Sequence, residues 1–168
     1  MRLHFIVNEF AGNGKSKKLW VRLEKQLEIP YELHKTQYAQ HAIQLAQQLA
    51  EQTVVTGEKI CLIGIGGDGT IHEIINGAGH FQHVVIGAIG GGSGNDFARY
   101  FKTFHNAEQI TQFWVNQQSE AHDYGILTMN KTERRFINNS GIGFDAFVAS
   151  AANESNLKKQ LNQIGLGK

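Results

Sequence analysis

Apolar residues along this chain form short continuous runs that alternate with stretches of helical spacing. The run at 59–65 lacks the alternation of a half-exposed strand, so it is typical of a strand covered on both faces. Strands are therefore predicted at 2–8, 31–36, 59–65 and 84–89. Helices are predicted over 39–52, 71–78 and 107–115. A further helix is predicted from Ser16 until Pro30 ends it, and another after the glycine turn that follows the fourth strand. Strands that alternate with helices over short connections predict an α/β domain, a parallel sheet flanked by helices.

The pattern changes after about residue 117. Two strands are predicted on either side of a polar turn near Asn130–Lys131, and the stretch "FDAFVASAANE" has helical spacing. We therefore expect two domains, 1–117 and 118–168. The second is expected to be β-rich and incomplete within this chain.

Composition and charge narrow the functional class. The chain has 168 residues, of which 41% are hydrophobic and 18% charged, with a formal net charge of +1. This balance predicts no nucleic-acid binding. With no signal peptide and no apolar stretch of the roughly 20 residues that span a bilayer, we expect a cytoplasmic protein. The eight histidines show no metal-ligand spacing, so no zinc site is predicted.

The glycines cluster in the turns that follow predicted strands, and ligands of parallel sheets bind beyond the carboxyl ends of the strands. Backbone amides without Cβ atoms can approach phosphate closely at a helix N-terminus. Two familiar motifs do not fit. A P-loop ending in "GNGKS" would need glycine at position 9, where the chain has Glu9. Residues 64–69 match G-x-G-x-x-G, but the next strand does not end in the acidic residue of a dinucleotide site.

Asp68 lies within the turn "GGDGT" at 66–70. Thr70 and Glu73 form a T-x-x-E capping box, so capping does not require Asp68, and Glu73 could serve the cap or the site. A carboxylate beside bound phosphate is repelled unless a cation such as Mg²⁺ intervenes, so Asp68 is predicted to hold the metal or to face a substrate hydroxyl.

The turn "GGGSGNDF" at 90–97 repeats this logic. Ser93 and Asp96 form an S-x-x-D helix start. Ser93, Gly94 and Asn95 offer donors at that helix N-terminus, which suits phosphate.

Together, "GGDGTIHEIINGA" and "GGGSGNDFARYF" resemble the catalytic-domain signature of the diacylglycerol kinase family, especially its soluble bacterial lipid kinases. "IVNEFAGNGKS", "HKTQYAQHAIQLA", "HDYGIL" and "FINNSGIGFDAFVA" resemble further segments of that family. The resemblance implies a three-layer α/β domain of the NAD kinase/diacylglycerol kinase type, followed by a β-sandwich, here truncated. ATP would bind in the cleft between them. "GGDGT" alone also fits NAD kinases and 6-phosphofructokinases.

The resemblance also implies site residues and cofactors, ATP and Mg²⁺. Asp68 would engage the metal and Asp96 would hold the active-site network. Asp123 and Asn139 would serve as polar residues where the domains join. The nucleotide and its phosphates would contact Asn8, Gly12, Thr36, Gly66, Gly67, Gly69, Thr70, Ser93, Gly94 and Asn95, with Glu73 nearby.

Three departures from the family pattern stand out. Glu9 replaces a proline and puts an acid near a phosphate loop. Gly90 replaces a proline, and Ser93 replaces a threonine but keeps the hydroxyl. The general base of relatives would lie beyond residue 168.

The implied activity is ATP-dependent phosphorylation of a lipid hydroxyl, with diacylglycerol as the first candidate and transient contact with a membrane surface. This chain would hold the nucleotide half and be inactive alone. An NAD kinase-like enzyme and a catalytically silent nucleotide-binding module remain alternatives, and a homodimer stays open.

Overall fold

The computed structural model describes residues 1–91, 97 and 103–137. Its strands are β1 (Arg2–Val7), β2 (Glu32–Lys35), β3 (Ile60–Gly66), β4 (Val84–Gly90), β5 (Gly125–Met129) and β6 (Thr132–Phe136). Its helices are α1 (Ala11–Glu24), α2 (His41–Val54), α3 (Asp68–Ala78) and α4 (Ala107–Asn116). The predicted helices after residue 92 and over 144–154 lie outside the described residues.

The first four strands form one parallel sheet in the order β2-β1-β3-β4. β3 is buried along its whole length because helices cover both faces of the sheet. Alternate side chains of β1 enter different cores. Leu3, Phe5 and Val7 pack with Trp20 of α1 and Ile110 of α4. Ile6 packs on the other face with residues of α2 and α3, including Ala46 and Ile74. The predicted α/β class is confirmed.

The first helix differs from its prediction at both ends. It begins at Ala11, but Gly12, Asn13 and Gly14 have φ of 60°, 54° and 82°, so its start is a left-handed bend rather than a regular turn. It ends at Glu24, well before Pro30. Leu27 and Ile29 continue the apolar pattern outside the helix because they pack against the first core. Pro30 therefore does not terminate this helix.

Beyond α4, β5 and β6 form an antiparallel hairpin in which Gly125 pairs with Phe136. Its turn contains Asn130 and Lys131, with φ of 47° and 66°, at the predicted place. The left-handed pair is typical of a two-residue hairpin turn. The division at residue 117 remains a prediction, as does a β-sandwich after it.

None of the helices that the structure describes is both long and apolar enough to cross a bilayer. Cys61 is fully buried on β3, and burial raises the pKa of its thiol to about 12. Trp20, Phe104, Phe113 and Trp114 pack in or against the first core. Phe101 lies outside the described residues.

Candidate functional site

Main-chain hydrogen bonds hold together the loops that leave the carboxyl ends of the four parallel strands. The Asn8 amide donates to the Ile65 carbonyl (2.9 Å), and the Thr36 amide donates to the Val7 carbonyl (3.0 Å). The Gly91 amide donates to the Gly66 carbonyl (2.7 Å). The loops after β1, β2, β3 and β4 therefore meet at one edge of the sheet. Ligands of open parallel sheets bind at this edge.

Glycine makes the closest approach between these loops. A Cβ on Gly12 would collide with the Gly91 carbonyl oxygen, and Gly12 also has a left-handed φ of 60°. The buried Ser16 donates from Oγ to the same carbonyl (3.3 Å). Gly91 has no room for a Cβ because Ser16 Oγ occupies that space. The loop after β1 and the loop after β4 are thus in direct contact through small residues.

The turn after β3 leads directly into α3. Gly67 is the N-cap and has no side chain to cap the helix, so no side-chain cap covers the Asp68 and Gly69 amides, whereas the Thr70 amide donates to the Gly67 carbonyl (2.9 Å). A Cβ on Gly66 would overlap the side chain of Thr70, whereas a Cβ on Gly69 would meet no atom within 4 Å. Gly69 is exposed, so the backbone there is open to a ligand. The positive end of the helix dipole adds a preference for an anion.

Asp68 is the first residue of α3 and is partly buried. Its Oδ1 accepts a hydrogen bond from the Phe97 amide (2.9 Å), which connects α3 to the segment after β4. One oxygen is used in this bond, and a carboxylate has lone pairs for further partners. Asp68 therefore lies at the edge where the loops meet, as predicted, and it also positions a neighbouring segment.

Asn8 and Thr70 join the loop after β1 to α3. Asn8 Nδ2 donates to Thr70 Oγ1 (3.2 Å), and Asn8 Oδ1 accepts from the Phe10 amide (3.2 Å). Thr70 is buried. The structure places both predicted residues at the site, and the hydrogen bond between their side chains fixes the loop after β1 against α3. Thr36 is buried beside them, at the end of β2.

The predicted capping box is wrong. The helix starts at Asp68, so Thr70 lies inside it, and its hydroxyl accepts from Asn8. Glu73 instead accepts from the amides of Gln40 (3.1 Å) and Ala42 (3.2 Å), at the N-terminus of α2. Gln40 has a left-handed φ of 69° and α2 has no side-chain cap of its own. Glu73 therefore supplies that cap from a neighbouring helix and fixes the loop after Thr36.

The negative charge of Glu9 is compensated by the neighbouring Lys35. Its carboxylate lies 2.8 Å from Lys35 Nζ, at the end of β2, and both side chains are partly exposed. The hydrogen bond from Lys35 lowers the pKa of Glu9 below its usual range. The acid at this position is therefore compensated locally. It does not make the loop after β1 unsuitable for an anion.

Two concave surfaces can be compared as ligand sites. A small one beside Asp68 is lined by Gly66, Gly67, Asp68, Ile71, Ala88, Gly90, Phe97 and Thr103. A larger, open one of about 420 Å³ lies between the chain after α1 and the start of α4, and its lining includes Glu28 and Glu108 but no lysine or arginine. The larger one does not suit a polyphosphate. The smaller one adjoins the open amides of α3, so the site is assigned there.

Sequence reasoning missed Ser16 and Gly91, which join the first and fourth loops. The only available signal was the length of the glycine run at 90–92. Gly90, which was expected to loosen its turn, is the last residue of β4 and pairs with Gly66. The predicted Asp123 is exposed ahead of β5. Ser93, Gly94, Asn95, Asp96 and Asn139 lie outside the described residues.

The fold and this edge define a class of protein: an α/β domain with glycine-rich loops and one carboxylate at the carboxyl end of a parallel sheet. The family model for the diacylglycerol kinase catalytic domain matches residues 2–127. The chain therefore belongs to the diacylglycerol kinase catalytic domain family.

The similar proteins are longer than this chain. It is 29% identical over 163 residues to "Putative lipid kinase YtlR" of Bacillus subtilis (strain 168), covering 92% of this chain and 52% of that protein. It is 34% identical over 138 residues to "Sphingoid long chain base kinase 5" of Saccharomyces cerevisiae, covering 76% of this chain and 17% of that protein. The chain thus spans about half the length of the bacterial relative.

A solved diacylglycerol kinase structure from Bacillus anthracis str. Sterne has the same fold. It superposes with a TM-score of 0.57 at 22% identity, covering 90% of this chain and 52% of that one. At this identity the likeness concerns the fold alone.

Proposed function

We propose that this chain carries the nucleotide site of an ATP-dependent lipid kinase, which transfers the γ-phosphoryl group of ATP to a lipid hydroxyl. Diacylglycerol is the first acceptor to test. The observation that carries the proposal is the open backbone at Gly69 beside the Asp68 carboxylate, in a chain of this family. Phosphoryl transfer depends mainly on positioning and charge neutralisation, which such a loop supplies.

The residues of this edge suit a nucleotide with a divalent cation. The first amides of α3 would hold phosphate oxygens, since Gly67 and Gly69 leave them uncovered. Asp68 would hold Mg²⁺, which prefers a carboxylate together with phosphate oxygens. Bound there, Mg²⁺ would neutralise charge on the transferred group. Asn8, Ser16 and Glu73 would keep the surrounding loops in place, through the contacts described above.

The acceptor must reach this edge from a membrane surface, since a diacylglycerol lies in the bilayer. We propose transient contact with that surface. A general base to deprotonate the acceptor hydroxyl would come from outside the described residues.

The full-length protein, incubated with radiolabelled ATP, Mg²⁺ and either diacylglycerol, a sphingoid base or NAD, tests the reaction and its acceptor in one assay. Label in the diacylglycerol product supports the proposal, and label in NADP supports the NAD kinase alternative. ATP binding by calorimetry without label in any acceptor would instead favour a silent nucleotide-binding module. If neither binding nor labelling occurs, the proposal is wrong.

Asp68→Asn separates the charge of Asp68 from its structural bond. Asparagine keeps an oxygen that can accept from the Phe97 amide, while the charge that would hold Mg²⁺ is removed. We expect Mg²⁺-dependent ATP affinity to fall at least about tenfold with little change in the unfolding free energy. Glu28→Gln makes the same chemical change at an exposed position away from these loops and should bind ATP normally.

A further inference from the structure

Two histidines and a glutamate meet on one face of the sheet, at its β2 edge. His4 of β1 lies opposite Glu32 of β2 in the parallel register. His34 follows Glu32 by two residues, so its side chain emerges on the same face. One ligand atom from each of the three lies within 4.8 Å of those of the other two.

Two of the three distances in this cluster are close to those between ligands of one metal ion. His4 Nδ1 lies 3.3 Å from His34 Nε2 and 3.7 Å from Glu32 Oε2. Zn²⁺ binds nitrogen and oxygen at about 2.0–2.2 Å in tetrahedral geometry, which places neighbouring ligand atoms about 3.3–3.6 Å apart. The paired strands hold the three Cα positions, so little rearrangement is needed.

We propose that His4, Glu32 and His34 bind Zn²⁺, with water as the fourth ligand, and that the ion fastens the short edge strand β2 to β1. Two histidines and one carboxylate with an open position form a known zinc ligand set. The Glu32 side chain is 53% exposed, so the ion and its water can enter from solvent. Spacing along the chain gave no sign of this cluster because His4 and His34 are 30 residues apart.

The burial of His4 fixes which of its ring nitrogens faces the cluster. Its side chain is 3% exposed, and Nδ1 is the nitrogen that points towards His34 and Glu32. Nε2 is buried on the other side of the ring with no hydrogen-bond partner among the described residues, so it takes no part in the proposed site. A direct hydrogen bond between the two imidazole rings is the competing explanation of their contact, and the experiment below separates the two.

The charges around the cluster leave it suited to a cation. Burial lowers the pKa of both His4 and His34, so each ring is neutral near pH 7 and has a lone pair to donate. Arg2 is a cation beside the cluster, and it lies 2.8 Å from Glu58 and 4.0 Å from Glu32 Oε1. Arg2 is therefore paired mainly with Glu58, and Glu32 Oε2 is the oxygen that faces His4.

Zinc affinity can be measured on the tag-free 168-residue chain after removal of metals with EDTA. Competition with a chromogenic chelator gives the stoichiometry and affinity, and Co²⁺ substitution reports tetrahedral coordination by visible absorption. We expect one ion per chain. Glu32→Gln and His34→Gln should each lower zinc affinity at least about tenfold. His105→Gln, at an exposed histidine on another part of the surface, should not.

The variant His34→Gln keeps an amide that can hydrogen-bond to His4 but removes a preferred zinc ligand. Zinc should raise the melting temperature of the wild type and of His105→Gln, and should leave that of His34→Gln unchanged. The absence of saturable binding, or equal zinc affinity in His34→Gln and the wild type, would overturn the proposal. Asp68→Asn should keep its zinc, so this result is independent of the proposed kinase activity.

Discussion

The two ends of α3 use glycine for opposite purposes. At the N-terminal end, a Cβ on Gly69 would meet no atom within 4 Å. At the C-terminal end, a Cβ on Gly77 would collide with the Ile43 carbonyl of α2 and lie 3.0 Å from the Ala46 Cβ. One glycine keeps the backbone open at a site, and the other lets two helices pack closely. Replacing glycine by alanine is therefore expected to weaken ligand binding at the N-terminal end and to lower stability at the C-terminal end.

The largest effect on stability is expected from Gly77→Ala. The new methyl group would push α2 away from α3, and overpacking of this kind costs about 1–3 kcal/mol. Denaturant unfolding should show a midpoint shift of that size, while the folded fraction keeps its affinity for ATP and Mg²⁺. Wild-type stability in this variant would mean that the helices adjust without cost, and the contrast between the two ends would be lost.

Gly69→Ala should give the reverse result. Alanine is favoured over glycine in a helix by about 1 kcal/mol, so stability should stay equal or rise slightly. ATP affinity should fall at least about tenfold, or 1.4 kcal/mol, because the methyl group covers the amides that would hold phosphate. Calorimetry on Gly69→Ala and Gly77→Ala in parallel makes each variant the control for the other. Unchanged ATP affinity in Gly69→Ala would remove the α3 N-terminus from the proposed site.

The sequence could predict the sheet but not the way its loops are joined. The strands were predictable because runs such as that of β3 are buried on both faces and carry no competing helical period. The start of α3 was not predictable, because its N-cap Gly67 gives no side-chain signal and Thr70 with Glu73 imitates a capping box. The partners of Glu73 lie 31 and 33 residues away, on a helix whose position depends on the folded sheet.

Glu73 lies between the two ends of α3 and links the site to the packing. Glu73→Ala removes the acceptor for two amides at the N-terminus of α2, and loss of a helix cap costs about 0.5–2 kcal/mol. Hydrogen exchange at Gln40 and Ala42 should accelerate together with this loss. Glu51→Ala, on the exposed face of α2, removes a hydrogen bond from Gln47 and should cost about 0.2–0.5 kcal/mol. Equal losses of stability in the two variants would show that Glu73 does not cap α2.

The smallest global effect is expected from Asn76→Ala, beside Gly77. Asn76 Nδ2 donates to the Arg135 carbonyl (2.9 Å), and its Oδ1 accepts from the Arg135 amide (2.8 Å). The side chain therefore pairs with the backbone of β6 and fixes the hairpin to α3. The Arg135 guanidinium also donates to the Asn76 main-chain carbonyl (3.3 Å), and alanine keeps that acceptor.

Alanine removes the two side-chain bonds to Arg135, each contributing about 0.5–1.5 kcal/mol, and the bond that Asn76 Nδ2 donates to the His72 carbonyl (2.9 Å). This loss should free the hairpin locally rather than unfold the sheet. Exchange of the Arg135 amide should therefore accelerate about tenfold or more, while amides of β3 keep their protection. Asn76→Asp, which retains the acceptor for the Arg135 amide, should fall between alanine and the wild type. If β3 lost protection together with Arg135, the hairpin and the sheet would form one cooperative unit, and the C-terminal end of α3 would be a structural centre of the whole domain rather than a local docking point.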